Sequence, residues 1–372
     1  MFQPVSLSLT IMRNFRKSFE KNSNDQLLHD PNFIHMMKYF LQCYGKEEIQ
    51  MEACWIFTNV AARTTEQTRI LVDNEIIPIL INLLSLNNIN LVEQAIWALG
   101  NVIGDCPALR DEVLKFNIIE PIIKWIELFR TQNFPNSFVR TFAWSLVNFV
   151  RYSKQPIPID FVQQLMPAYQ TIVEEPLDEQ AKIDGLWGLT YIADCGVDYI
   201  QLIIDHNIVE TSIALIHTNR PKLQLCIVRL LGSIATGTDD QNERLINNQI
   251  LLNIRNFLFS ELKYIRRQSL WCLSNIAAGP LHHVRAFFET DLLPGIVINL
   301  TNDDLKTVRE AIFTLRNLIQ NCELFYIPEI SRNRAIRFLF DLVSSNNLEI
   351  SYLADDVLSI FFRRSMQLIR IQ

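Results

Sequence analysis

Five of the six tryptophans stand four residues ahead of a polar residue, and these pairs return at nearly constant spacing along the 372 residues. They are Trp55 with Asn59, Trp97 with Asn101, Trp144 with Asn148, Trp187 with Tyr191 and Trp271 with Asn275, and the series continues through Phe313 with Asn317. Ser233 fills the one gap in phase, so the polar position advances by 42, 47, 43, 42, 42 and 42 residues. A period of that length marks a solenoid of helical units that cannot bury their apolar faces alone. Residues four apart lie one above the other on a helix. Each unit therefore offers one aromatic and one polar group on a single strip, and stacking turns the strips into a ladder.

The helix that carries the ladder is legible in Glu93–Asp105. There Ala95, Ile96, Leu99, Val102 and Ile103 form an apolar stripe of helical spacing, and Glu93, Gln94, Trp97, Asn101 and Asp105 lie off it. Ahead of such helices comes another apolar one with an early proline (Pro78, Pro121, Pro294), tolerated because the missing N–H of a first helical turn has no partner to lose. A shorter helical stretch such as Glu66–Asp73 precedes that one. Three helices in about forty-two residues is armadillo geometry, with HEAT pairs the nearest competitor. The expected fold is all-α, a right-handed α-solenoid of about eight armadillo repeats of three helices each. With only ten glycines, one continuous elongated body is expected.

Composition narrows the function. Hydrophobic residues make up 49% of the chain, yet no apolar run approaches the roughly 20 residues of a membrane helix. No signal-peptide pattern opens it. Seven scattered cysteines, an odd number, read as reduced core residues of a cytosolic or nuclear protein. The net charge of −6 disfavours nucleic acid and favours a basic partner. No Gly-rich phosphate loop or nucleophile elbow occurs. His282 and His283 are adjacent and expected to diverge as a solvated pair, and Asp355 and Asp356 to sit on a solvated helix turn. These features predict a monomeric, non-enzymatic protein without metal or cofactor.

The ladder has a structural and a functional reading. Trp can cover a helix seam and Asn can satisfy a neighbouring carbonyl. A row of exposed amides can also bond the backbone of an extended peptide, while grooves between indoles accept long aliphatic stems, each cation–π contact being worth about 0.5 to 2 kcal/mol. Repetition over six units favours a site for a Lys/Arg-rich segment.

Taken with Glu52–Asn59, Glu93–Asp105, Phe142–Asn148, Leu186–Tyr191, Ala235–Asp239 and Leu270–Gly279, the chain resembles the importin-α family of adaptors for basic nuclear localisation signals. The resemblance spans nearly the whole length. It implies an N-terminal helix from repeat one in residues 1–24, repeats two to nine in 25–364 and a C-terminal tail in 365–372. It implies a major peptide site in which Trp55, Trp97 and Trp144 form indole grooves and Asn59, Asn101 and Asn148 hold the peptide backbone. Asp105, helped by Thr68, would take the deepest lysine, and Gln94 and Asp184 would serve flanking positions, with Trp187 and Tyr191 continuing the row. It implies a minor site of Arg229, Ser233, Trp271, Asn275, Glu310, Phe313 and Asn317. The expected localisation is cytoplasm and nucleus.

Three departures qualify these expectations. Arg63 stands where the family has a small residue beside the lysine pocket, and its guanidinium is expected to add like charge there. In the minor site Ser233, Gln268, Asn242 and Phe313 replace an asparagine, a glutamate, a threonine and a tryptophan, which predicts weaker binding. The family's basic importin-β-binding segment has no counterpart: Arg13, Arg16, Lys17 and Lys21 are expected on a solvated helix face, leaving the groove without autoinhibition. Importin-β or another carrier remains a possible further partner. The alternative is an armadillo scaffold holding a fixed assembly partner, as β-catenin-like proteins do with acidic partners. Their grooves are lined with Lys and Arg, whereas here Glu52, Glu93, Asp105, Asp184 and Asp194 stand on or beside the ladder helices.

Overall fold

In the computed structural model the described residues are 5–20, 25–302 and 304–371. They form twenty-three α-helices and four short 3-10 segments, with no strand among them. None of these helices is long and apolar enough to cross a membrane. The chain divides into two compact units, Met1–Cys195 and Gly196–Gln372, where the sequence suggested one continuous body. The boundary falls at Gly196, whose φ of 127° suits a residue without Cβ.

In the first unit the ladder helices Glu47–Ala61, Ile89–Asp105, Asn136–Val150 and Glu179–Ala193 pack each on the next, and Val5–Glu20 packs on the first of them. Each buries the apolar stripe that the sequence outlines: Ala95, Ile96, Leu99, Val102 and Ile103 are all inaccessible. The long step of 47 is absorbed before Asn136, where the second helix has ten residues (Ile119–Leu128) against eight in Ile76–Leu83. One repeat departs from the three-helix plan. Between Val150 and Glu179 there is a single helix, Ile159–Glu174, because Pro156 and Pro158 hold the preceding stretch extended.

In the second unit Pro221–Ile234, Lys263–Ala277, Leu305–Asn321 and Leu348–Ile371 stack in the same way. Residues 365–371 continue the last of these helices. A repeated corner sets the second helix against the first in five repeats of the chain: Glu75, Asn207, Gln249, Asp291 and Arg334 all have positive φ, between 52° and 65°. The left-handed conformation costs a non-glycine residue about 1 to 2 kcal/mol, and the apolar helices it brings together offset that.

Buried polar groups correct some sequence expectations. Gln94, expected off the apolar stripe, is buried, with its amide donating to Thr58 Oγ1 at 2.7 Å. His282 and His283 do not diverge. Pro280 caps Leu281–Glu289, both imidazoles lie in its first turn, and both Nε2 atoms meet Glu243 Oε2, at 3.0 and 2.9 Å. All seven cysteines are free thiols, and burial pushes Cys272 up to about 12.

Candidate functional site

Four of the five indoles of the first unit stand on its four successive ladder helices, Trp55 and Trp97 being 37% and 47% exposed and Trp144 and Trp187 half-buried. Two glycines seat tryptophans. A Cβ on Gly100 would fall 2.5 Å from Trp144 Cζ3, and one on Gly232 would fall 2.5 Å from the same atom of Trp271. Each of these glycines directly precedes a ladder position, Asn101 or Ser233, a signal visible in the sequence but not read there. Gly100→Ala should tip the Trp144 indole from its seat, destabilise the protein by about 1 to 3 kcal/mol and shift tryptophan emission. Unchanged emission and melting would mean the seat is not tight.

The ladder amides are partly scaffold. Asn101 Nδ2 donates to Thr58 O at 3.2 Å, Asn148 to Gly100 O at 3.1 Å, Asn275 to Gly232 O at 3.1 Å and Asn317 to Ser274 O at 2.9 Å. Every acceptor is the carbonyl just before the preceding ladder position. Asn148 goes further: it is only 2% exposed, and its Oδ1 accepts from Arg151 at 3.4 Å. Ser233 is also fully buried, so neither lies on the open strip that the sequence suggested. Asn59 differs in the opposite sense, its Nδ2 being buried without a hydrogen-bond partner.

The carboxylates divide into engaged and available. Arg16 Nε donates to Glu52 at 2.7 Å, Arg13 reaches the same group at 3.4 Å, and the Arg16 guanidinium lies 4.2 Å from the Trp55 ring centroid. Arg16 is therefore packed rather than on a solvated face; Lys17 is exposed, and Lys21 lies outside the described residues. Glu93 accepts from Ser137 and Thr141. Asp105 is half-buried, and its Oδ2 is shielded from solvent without any partner. An acceptor in that state costs about 1 to 3 kcal/mol or more for a charged group, which makes it the strongest local demand for a donor.

A depression of about 270 Å³ lies between Trp97 and Trp144, closed by Arg140, Thr141 and Asp184. Burial pushes the Asp184 carboxyl up, against a hydrogen bond from Gln180 that favours its charge, and the nearby Asp178 carboxylate adds to the rise. Arg140 is held by Asp178 through two bonds of 2.7 and 2.9 Å. A larger hollow of about 860 Å³ surrounds Trp125 on the second helices, but Lys115 and Lys124 there salt-bridge Glu112 and Glu120, and no carboxylate is left over. Thr68 is fully buried, its hydroxyl donating to backbone carbonyls. Arg63 turns to the Phe19 carbonyl and ring at the end of the first helix, away from the role expected for it.

In the second unit Arg229 lies 4.4 Å from the Trp271 ring centroid, and Glu310 is buried and paired with Arg309 at 3.2 Å. Phe313 and Asn317 are half-buried. Among the positions assigned to the minor site and its departures, the orphaned buried acceptors are Gln268 Oε1, Asn242 Oδ1 and Ser233 Oγ, all uncharged.

Comparison with known proteins agrees with this architecture. Residues 64–103 match the family described as Armadillo/beta-catenin-like repeat. Among solved structures, an engineered protein superposes with a TM-score of 0.60 over 95% of both chains at 18% identity. A designed armadillo repeat protein in complex with the peptide (KR)4 gives 0.53, over 77% of this chain and 99% of the other, at 16% identity. The fold and its ladder thus define an armadillo-repeat protein. The chain is 30% identical over 269 residues to importin subunit alpha-1b of Oryza sativa subsp. japonica, covering 72% of this chain and 49% of that one. It is 28% identical over 348 residues to importin subunit alpha-5 of Arabidopsis thaliana, covering 93% and 66%. It is an importin-α-like armadillo protein. It spans 49% and 55% of the two rice relatives, subunits alpha-1b and alpha-1a.

Proposed function

We propose that this protein is a nuclear import adaptor that binds Lys/Arg-rich localisation signals of cargo proteins, in extended conformation, along the ladder of the first unit. The observation that carries the reading is the buried, unpartnered Oδ2 of Asp105 on the helix next to the unpartnered amide of Asn59. An ammonium would satisfy the first and a peptide carbonyl the second. Asn101, with Nδ2 committed to Thr58, keeps Oδ1 to accept a peptide N–H. The Trp97–Trp144 depression suits an aliphatic stem, with Asp184 meeting its cationic head. Trp187 and Tyr191 extend the surface, whereas Gln94, Thr68 and Asn148 act through the scaffold. The relatives named importin subunit alpha support a transport role. Importin-β or another carrier would be the onward partner, and the protein would occupy both cytoplasm and nucleus.

The test is a titration of a fluorescent Lys-Lys-Lys-Arg-Lys peptide, with a glutamate-rich peptide beside it. Affinity for the basic peptide should fall as salt rises, because exposed charges are screened beyond about 10 Å at 0.1 M. Salt-independent binding, or preference for the acidic peptide, would sink the proposal in favour of a scaffold role.

A further inference from the structure

Outside the ladder, one cluster brings together side chains of a recognisable coordination chemistry. Glu243, on Asp239–Asn247, and His282 and His283, on Leu281–Glu289, offer one carboxylate oxygen and two imidazole nitrogens, all within 4.8 Å of one another. The ligands lie 39 and 40 residues apart, one armadillo period, so the group joins the first helices of consecutive repeats. Two neighbouring helix residues point about 100° apart, yet the imidazoles are long enough for both Nε2 atoms to reach the same oxygen.

The two rings converge on a single carboxylate oxygen through their Nε2 atoms, one of them from a fully buried position. His283 is fully buried, and its Nδ1 has no partner, an uncommon state for a buried polar atom. Its ring fits only because residue 279 is glycine: a Cβ there would lie 2.6 Å from Nδ1. The neighbouring charges are engaged elsewhere, Arg244 with Glu210 and Arg285 with Glu323. His282 is 64% exposed, so one side of the cluster is open.

The geometry points to a transition-metal site, of the zinc class, that staples these two repeats together through Glu243, His282 and His283. Two imidazoles and one carboxylate are a borderline ligand set that suits Zn2+ and not the oxygen-seeking Mg2+ or Ca2+. Ligand atoms about 2.0 to 2.2 Å from a tetrahedral ion lie about 3.3 Å from one another, within reach of the spacing here after a small turn of the exposed His282. Water, or a side chain of a partner, would complete the coordination on the open side. Because such an ion binds the folded pair of helices, it raises their stability by mass action. None of the three ligands is among the residues assigned to peptide binding.

The experiment uses the full chain, reduced, with Zn2+ titrated against a competing chelator and thermal unfolding followed in parallel; Mg2+ is the control ion. One Zn2+ should bind per chain and raise the unfolding midpoint, and Mg2+ should not. Glu243→Gln and His282→Ala, both at partly exposed positions, should weaken Zn2+ by about ten-fold or more and abolish the rise. Gly279→Ala, which removes no ligand, should weaken it by crowding His283. Co2+ in place of Zn2+ should give ligand-field absorption without a thiolate charge-transfer band. Unchanged affinity in Glu243→Gln and His282→Ala, a thiolate band, or no stoichiometric binding would each overturn the assignment.

Discussion

Asp105→Lys should lower affinity for a Lys-Lys-Lys-Arg-Lys peptide by about thirty-fold to a thousand-fold, or roughly 2 to 4 kcal/mol. The effect is large because two changes act together. The substitution removes a charge-assisted bond at an oxygen that is shielded from water and has no partner within the protein. It also sets a second cation where the peptide's ammonium would sit, in surroundings drier than the surface, where like charges repel more strongly. Glu310→Arg is the matched control in the second unit. Glu310 already has Arg309 at 3.2 Å, and the orphaned acceptors on the ladder helices there and at Asn242 are amides and hydroxyls, so the loss there should be several times smaller. Fluorescence titration of both variants separates the outcomes. Equal losses would mean that the second ladder binds as strongly as the first. No loss at Asp105 would mean that the groove serves another ligand.

What the sequence made legible follows from periodicity. A stripe such as Ala95, Ile96, Leu99, Val102 and Ile103 has to be buried, and the position of Trp97 relative to it leaves the indole half in solvent. Recurrence of that pattern set the stacked helices. What was not legible depends on neighbours one repeat away. Nothing in the local pattern distinguishes Asn148 from Asn101, yet Arg151 and the Gly100 carbonyl use both ends of the Asn148 amide. Arg16 reads as one more solvated cation until its helix is laid on Glu47–Ala61, where Glu52 and the Trp55 ring receive it. The histidine pair is the sharpest case: adjacency in sequence argues for divergence, and only Glu243, 39 and 40 residues away, shows where the two rings converge. Prolines were read correctly as helix openers at Pro78 and Pro294, while Pro156 and Pro158 remove a helix that the period demanded.

Phe138→Ala should destabilise the first unit by about 3 to 5 kcal/mol, the range for deleting a buried aromatic ring. Phe138 is fully buried at the start of Asn136–Val150, with ring centroids of Phe142, Phe134 and Trp125 at 4.9, 5.2 and 5.3 Å and Phe129 at 6.2 Å. These rings come from the second helix, from the loop after it and from the ladder helix, so the cluster fixes how the ladder helix leaves the long connection in that repeat. The same helix carries Arg140, Thr141 and Trp144, three of the residues around the proposed stem pocket. Collapse of the cavity would therefore tilt one wall of that pocket as well as lower stability. Solenoids unfold by interacting neighbours rather than as one block, so a single global midpoint would understate the change. Amide hydrogen exchange resolves it: protection should fall most in helices 119–128 and 136–150. Tyr352→Ala, at a site 73% exposed, should leave exchange unaltered. If Phe138→Ala lost less than about 0.5 kcal/mol, the range for neutral surface changes, the aromatic cluster would be filler and the ladder helix would be held by its neighbours alone.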